Sequence, residues 1–146
     1  MPNSSRDIPR SPCVIGNCLD IIGDRWTLLV VRDLLFFGKH EYKEFLASPE
    51  SIATNILADR LKRLSEAGII KEQLHPENRS RKLYYLTNQG KALLSILIEM
   101  IKWGEKFLPE VEMMKPLFKR IKTNPDLFKK EILNKLDQWE VSYLNE

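Results

Sequence analysis

Seven lysine and arginine residues fall between positions 60 and 82, against three acidic residues, which gives this stretch a local net charge of +4. Arg60, Lys62 and Arg63 lie in a segment with helical apolar spacing, and Arg79 and Arg81 lie in a polar segment beyond it. Clustered guanidinium and ammonium groups neutralise phosphates, so the pattern favours a contact with nucleic acid. For the helix taken alone, an ordinary solvated face would be the preferred explanation of the charges, and only the predicted hairpin downstream reverses that preference.

The elements around these charges give them a predictable geometry. Apolar residues recur on one face of a predicted helix over residues 53–67, and strands are predicted over residues 69–74 and 82–86. The loop over residues 75–81 is too polar to join a core. The order helix, strand, basic loop, strand is that of a winged helix, in which one helix enters the DNA major groove and the hairpin tip reaches the flanking backbone.

Upstream, the sequence predicts the helices that would support this unit. A short helix over residues 18–22 should end at Gly23, a residue suited to a left-handed C-cap. Asp24 is the expected cap of the next helix, over residues 25–37, whose apolar residues cover most of its surface and indicate a central, buried element. Residues 40–46 form the predicted first half of a helix-turn-helix.

Downstream, three further helices are predicted. Thr87 is the expected N-cap of one long helix over residues 88–107. Amphipathic segments over residues 111–121 and 126–143 follow. The predicted fold is therefore mainly α with a small β-hairpin, a winged helix-turn-helix with a C-terminal helical extension.

Composition sets limits on the class of protein. At 146 residues and 43% hydrophobic content the chain can bury a core of its own, and its net charge of only +3 is too low for a nonspecific nucleic-acid coat protein. We expect a flexible arm at 1–12, a DNA-binding domain with dimerisation helices at 13–109, and the helical extension at 110–146. The start lacks the apolar region of a signal peptide, and no apolar run is long enough for a membrane span, so a cytoplasmic protein that does not contact membranes is expected.

Catalysis, metals and cofactors are not expected. The chain contains no glycine-rich phosphate loop, no paired histidine and carboxylate motif and no nucleophile elbow. The two histidines, His40 and His75, have no partner cluster in the sequence and are predicted to be surface residues. The two cysteines form neither a disulfide framework nor a zinc-ligand set.

Several segments resemble the HxlR-type family of winged-helix transcriptional regulators, which are related to the MarR regulators. The resemblance covers residues 13–109 and depends on the order and spacing of CVIGNCLDIIGDRW, EYKEFL, IATNILADRLKRLSEAGII, YYLTNQGKAL and the Trp103-Gly104 pair. It implies a homodimer that binds an inverted-repeat operator in double-stranded DNA, tuned by an unidentified small molecule or oxidant. Ala53 departs from the serine that commonly starts the recognition helix in the family, so the cap is expected to shift to Ser51 or Thr54.

Nine residues are the predicted DNA contacts. Asn55 is the best candidate for reading a base, because its amide can donate and accept at one adenine edge, although it could equally serve only as a local cap. Arg60 is expected to reach a phosphate or a guanine, an assignment that the resemblance strengthens. The full set is Thr54, Asn55, Ala58, Asp59, Arg60, Lys62, Arg63, Arg79 and Arg81.

Cys13 is the candidate for redox sensing. It lies 13 residues before Trp26, where the resemblance places the thiol that senses oxidants, quinones or electrophiles in some members. Sensing requires a thiolate, which Arg10 would favour if it lies close in space. A structural or inert thiol is the alternative. Cys18, by contrast, is predicted to face the core.

A homodimer is expected because the predicted helix over residues 88–107 has more apolar surface than one small domain needs. The alternative is that these side chains only fill the core of the monomer. The candidate interface residues are Leu19, Ile22, Leu97, Ile101, Trp103 and Phe107. A second functional hypothesis is a winged-helix module that binds another protein without sequence-specific DNA binding, for which Asp59 on the exposed face would suit a basic partner.

Overall fold

The computed structural model describes residues 10–144 as eight α-helices and one two-stranded antiparallel sheet. This confirms the predicted fold class, and the predicted arm at 1–12 lies outside the described residues except for its last three. No helix in the described range has the length and the apolar run needed to cross a membrane. The elements are α1 (Val14–Ile22), α2 (Thr27–Phe36), α3 (Tyr42–Leu46), α4 (Thr54–Glu66), β1 (Ile70–His75), β2 (Asn78–Leu86), α5 (Asn88–Lys91), α6 (Leu94–Phe107), α7 (Lys115–Thr123) and α8 (Pro125–Tyr143), with a 3-10 turn at Glu112–Met114 before α7.

Helix α2 is the centre of the core, as its continuous apolar sequence predicts. Val31 and Leu34 have no exposed surface, and Val30 and Leu35 are nearly as deeply buried. The Asp24 carboxylate accepts a hydrogen bond from the backbone N–H of Trp26, just before the helix begins. A helix surrounded by apolar neighbours on most sides gains the greatest burial per residue, so α2 holds the other helices together.

The predicted role of Gly23 is wrong. Its backbone is right-handed, with a φ of −84°, and not left-handed. Glycine is required there for space, because a Cβ atom would collide with the carbonyl oxygen of Leu19. Gly68, which follows α4, does have the left-handed backbone, with a φ of +80°, and allows the chain to turn directly into the hairpin.

The hairpin is longer than predicted. Strand β2 begins at Asn78, so the connection to β1 is a tight turn at Pro76 and Glu77, and not a loop over residues 75–81. The pairing runs from Ile70 opposite Leu86 to His75 opposite Asn78, with an irregularity after Leu74. The polar residues predicted as loop lie on a strand because only its inner half needs apolar contacts, and the outer half extends into solvent.

The predicted long helix over residues 88–107 is broken into α5 and α6 by a turn at residues 92–93. The N-cap at Thr87 is confirmed, because its hydroxyl oxygen accepts from the Gly90 N–H at 3.1 Å. The same hydroxyl donates to the Gly68 carbonyl oxygen at 2.6 Å. Thr87 therefore fixes the start of α5 against the end of α4.

The C-terminal extension packs into the same core as the winged helix. Phe128, Ile132 and Leu136 of α8 are buried in the cluster that contains the α2 and α6 side chains. The helix begins after Asn124, whose side chain accepts from the Leu127 N–H at 3.1 Å. The extension is therefore an integral part of the hydrophobic core.

The prediction that both histidines lie at the surface is wrong. His40 is 4% exposed and His75 is 9% exposed. The Nδ1 atom of His40 lies 2.8 Å from the Tyr84 carbonyl oxygen, and its ring stacks on Trp139 of α8 with a centroid distance of 3.5 Å. Burial lowers the pKa of His40, although the Tyr84 contact and nearby carboxylates oppose that shift. His40 thus joins β2 to the C-terminal helix.

Candidate nucleic-acid interface

Helix α4 has one buried face and one open face. Leu57, Leu61 and Leu64 are buried and hold the helix against the core. On the other side, an exposed row contains every predicted contact of this helix except Arg60, namely Thr54, Asn55, Ala58, Asp59, Lys62 and Arg63. A helix that is anchored on one side and polar on the other has the geometry needed to enter a major groove.

The start of α4 lacks a side-chain cap. Its N-cap residue is Ala53, which has an extended backbone and no capping side chain, so the expected shift of the cap to Ser51 or Thr54 is wrong. Ser51 instead has a left-handed backbone with a φ of +58°, in the turn before the helix. The uncapped backbone N–H groups of the first turn remain available to an anion such as phosphate.

The turn between α3 and α4 is fixed by a polar network around Arg32 of α2. Arg32 bonds to Asp33, and its Nη1 and Nη2 atoms donate to the Glu50 carboxylate at 2.6 and 2.9 Å. The buried Ser48 hydroxyl donates to Asp33 at 2.6 Å. Burial opposes the charge on Arg32, but the hydrogen bonds to Glu50 and Asp33 outweigh it and raise its pKa. The network therefore joins the turn before α4 to α2.

Helix α3 supports α4 directly. Glu41 and Glu44 form a reciprocal capping box at its first turn. Phe45 is buried, and the Tyr42 hydroxyl donates to the Thr54 carbonyl oxygen at 2.8 Å. The first residue of the exposed row is thus bonded to the preceding helix.

Arg60 differs from the exposed row of α4 because most of its side chain is covered and paired with Asp24. Its Nε atom donates to Asp24 Oδ2 at 2.6 Å, its Nη1 atom donates to Asp59, and its side chain is 19% exposed. The Nη1 atom of Arg63 also lies 3.7 Å from Oδ2 of Asp59. Burial would raise the pKa of Asp24, but hydrogen bonds from Thr27, Arg60 and the Trp26 N–H lower it to about 2.

The two predicted arginines of the wing lie in different environments. Arg79 is exposed near the tip of the hairpin. Arg81 lies closer to the body and forms a two-point pair with Glu41, with nitrogen to oxygen distances of 2.6 and 2.5 Å. The hydrogen bond from Arg81 lowers the pKa of Glu41. Arg81 therefore joins the wing to α3, and Arg79 extends beyond it.

A groove between α4 and the hairpin contains cations that the sequence analysis missed. Lys62 was predicted, but Lys71 of β1 and Lys82 of β2 line the same groove. Lys82 also pairs with Glu72 at 3.0 Å. Both lysines lie on exposed positions of the hairpin, but the strand register places them on opposite faces, so alternation alone did not group them with Lys62.

Helices α1 and α6 expose large apolar side chains. Trp103 and Phe107 are 60% and 61% exposed and pack against each other, and Leu19 of α1 is 58% exposed. Ile22 and Ile101 are half-buried. Leu97 is buried in the core of the protomer, so its assignment to an interface is wrong.

Both cysteines are exposed. Cys13 is the residue before α1, and its backbone N–H donates to the Ser11 hydroxyl at 3.0 Å. Cys18 was predicted to face the core, and that prediction is wrong, because α1 has no buried residue and Cys18 is exposed on it. Arg10 pairs with Asp20 at 3.2 Å. Residues 10–144 bring no three potential metal ligands together.

The sequence profile of the HxlR-like helix-turn-helix family matches residues 21–112, which is most of the chain. The chain belongs to the HxlR-like family. The match begins after both cysteines and ends before α7, so α7 and α8 lie beyond the part that the family shares.

An uncharacterized HTH-type transcriptional regulator of Mycobacterium tuberculosis is 33% identical to this HxlR-like chain over 98 residues, which is 67% of this chain and 61% of the relative. The alignment thus spans less than two thirds of that protein's length. Among solved structures, PA1607 is similar with a TM-score of 0.62 and 37% identity, over 70% of each chain. The reduced form of the transcriptional regulator YodB from Bacillus subtilis has a TM-score of 0.55 and 30% identity, over 67% of this chain and 96% of YodB.

Proposed function

We propose that this HxlR-like protein is a cytoplasmic transcriptional regulator that binds double-stranded DNA in a sequence-specific way. The observation that supports this most strongly is the division of α4 into a buried leucine face and an exposed polar row. Lys62 and Lys71 in the adjacent groove and the exposed Arg79 supply positive charge on the same hairpin and helix, while Lys82 in that groove is paired with Glu72. Bases would be read by the row, and phosphates would be bound by the cations.

Selection of bound fragments from a random DNA pool tests this proposal. We expect one enriched sequence, and we expect affinity for it to fall steeply as salt rises. Asn55→Ala should reduce discrimination at one base position, since a good amide contact to a base is worth about 1–3 kcal/mol. Asn134→Ala is the matched control, because Asn134 is an exposed asparagine on α8. Enrichment of no sequence would contradict the proposal.

We propose further that the protein acts as a homodimer on an operator of two inverted half-sites. The exposed Trp103 and Phe107 support this, because large aromatic side chains are seldom left in water without a partner. Sedimentation velocity should show a dimer that Trp103→Glu converts to a monomer. Val141→Glu is the control, since Val141 is 85% exposed on α8. A monomeric unmodified protein would contradict the homodimer.

A thiol-dependent response is a second proposal, supported by the exposure of Cys13 and by the similarity to YodB, one of whose solved structures is quinone-bound. Operator affinity should change after a mild thiol oxidant in the unmodified protein and in Cys18→Ser, and should not change in Cys13→Ser. An equal response in all three proteins would exclude Cys13 as the sensor.

The alternative is a module that binds another protein through α4. The salt dependence of binding and the effect of removing basic side chains distinguish it from a DNA-binding protein. Binding to DNA should weaken when Arg79 and Lys62 are replaced by alanine, and should show a steep dependence on salt. A mainly apolar protein contact should show neither effect. The family membership, together with the exposed Arg79 and the exposed Lys62 on the polar row of α4, favours DNA.

A further inference from the structure

We propose that Asp24 is a positioning residue for Arg60, and that it sets the sequence specificity of α4 by holding one edge of the Arg60 guanidinium. Asp24 lies on the segment before α2, and Arg60 lies in the middle of α4, so the contact joins two elements far apart in the sequence. The inference rests on the proposed DNA-binding function and assigns one side chain outside α4 a role in it.

Asp24 is itself held in one position. Its carboxylate accepts from the Trp26 N–H at 3.1 Å and from the hydroxyl of Thr27, which is 3% exposed. The Asp24 side chain is 27% exposed. These bonds keep its pKa near 2, so Asp24 is charged at any physiological pH. A charged and fixed acceptor can orient a guanidinium more precisely than a mobile surface carboxylate can.

The two acids that contact Arg60 are not equivalent. Asp24 accepts from Nε, and Asp59 accepts from Nη1. Asp59 is 52% exposed and also lies near Arg63, so it can move away when DNA approaches. Among residues 10–144, no hydrogen bond engages Nη2 of Arg60. With Nε retained by Asp24, the Nη1 and Nη2 atoms form a planar pair of donors that matches the O6 and N7 acceptors of guanine.

This arrangement favours specificity over total affinity. A fixed carboxylate near the DNA surface repels phosphate and therefore lowers binding to every sequence. An arginine that is already oriented loses less conformational entropy on binding. It forms its hydrogen bonds only with a base edge that lies in the matching position. Removing the Asp24 charge should therefore leave nonspecific binding equal or stronger while the preference for the operator falls.

The experiment is a double-mutant cycle on the ratio of affinities for the pool-selected operator and for a scrambled duplex. Asp24→Asn should lower the ratio about fivefold or more, the lower end of what one base contact contributes. In an Arg60→Ala background, adding Asp24→Asn should leave the ratio unchanged. Asp126→Asn is the matched control, because it removes the same charge from an exposed aspartate in the first turn of α8, and it should keep the ratio of the unmodified protein.

An unchanged ratio in Asp24→Asn would overturn the inference, and so would an equal fall with and without Arg60. If Asp24→Asn does not fold, Arg60→Lys replaces it, because lysine keeps the charge and lacks the planar pair of donors. That variant should lose the preference for the operator, and full retention would overturn the inference. If the unmodified protein itself prefers no sequence, the proposed function has failed, which is a different result from a failure of the Asp24 inference alone.

Discussion

Replacing Phe128 with alanine should remove a large part of the free energy of unfolding, because this ring lies in the core although it belongs to the C-terminal extension. Phe128 is 1% exposed, its ring centroid lies 5.9 Å from that of Phe36 in α2, and the Arg120 guanidinium lies 4.8 Å from its ring. Truncating a buried phenylalanine to alanine costs about 3–5 kcal/mol. A domain of this size has a total stability of roughly 5–15 kcal/mol, so the loss is large.

Urea unfolding followed by circular dichroism measures this effect. With a urea dependence of about 1–3 kcal/mol per molar, the midpoint for Phe128→Ala should fall by more than about 1 M. Leu127→Ala is the matched control on the adjacent residue, which is 47% exposed, and it should cost no more than about 1 kcal/mol. Equal, small changes in both variants, or a separate early transition for the extension, would show that α8 is not part of the core.

Three other predictions follow from the contacts. Thr87→Ala should lower the free energy of unfolding by about 1–2 kcal/mol in the same urea assay, because it removes the cap of α5 and the bond to the Gly68 carbonyl oxygen; an unchanged midpoint would contradict it. Burial lowers the pKa of His40, so its imidazole binds a proton more readily in the unfolded chain, and the free energy of unfolding should fall as the pH drops below about 6.5. In His40→Gln this fall should be smaller, and a pH profile equal to that of the unmodified protein would refute the reasoning. Arg79→Ala should weaken DNA binding more than Arg81→Ala and reduce the salt slope by about 1, because Arg81 is already held by Glu41; equal losses in fluorescence anisotropy titrations would contradict this difference.

Local patterns predicted the elements that depend on neighbours in the sequence. The leucine repeat of α4 predicted both its helical structure and its buried face, and the cap at Thr87 was evident from a threonine before a helical segment. The exposed row on α4 followed from the same periodicity. Each of these features is determined within about one or two helical turns, which is the range that sequence periodicity reports.

The errors concern contacts between distant parts of the chain. His40 is buried because Trp139 of α8 stacks on it, and nothing near His40 in the sequence indicates that partner. Arg60 and Arg81 are paired with Asp24 and Glu41, which lie on other elements. Helical periodicity identifies exposed positions, but it does not identify the partner of a charge, so sequence alone did not distinguish these two arginines from the exposed Arg79.

Photo-crosslinking from α4 tests most directly the central claim that this helix lies against DNA. The photoreactive residue p-benzoylphenylalanine would replace Lys62 on the exposed row, and in a control protein it would replace Val141, which is 85% exposed on α8. We predict crosslinks to the selected operator from position 62 and none from position 141. Efficient crosslinking from position 141, with none from position 62 in a protein that still binds the operator, would contradict the account.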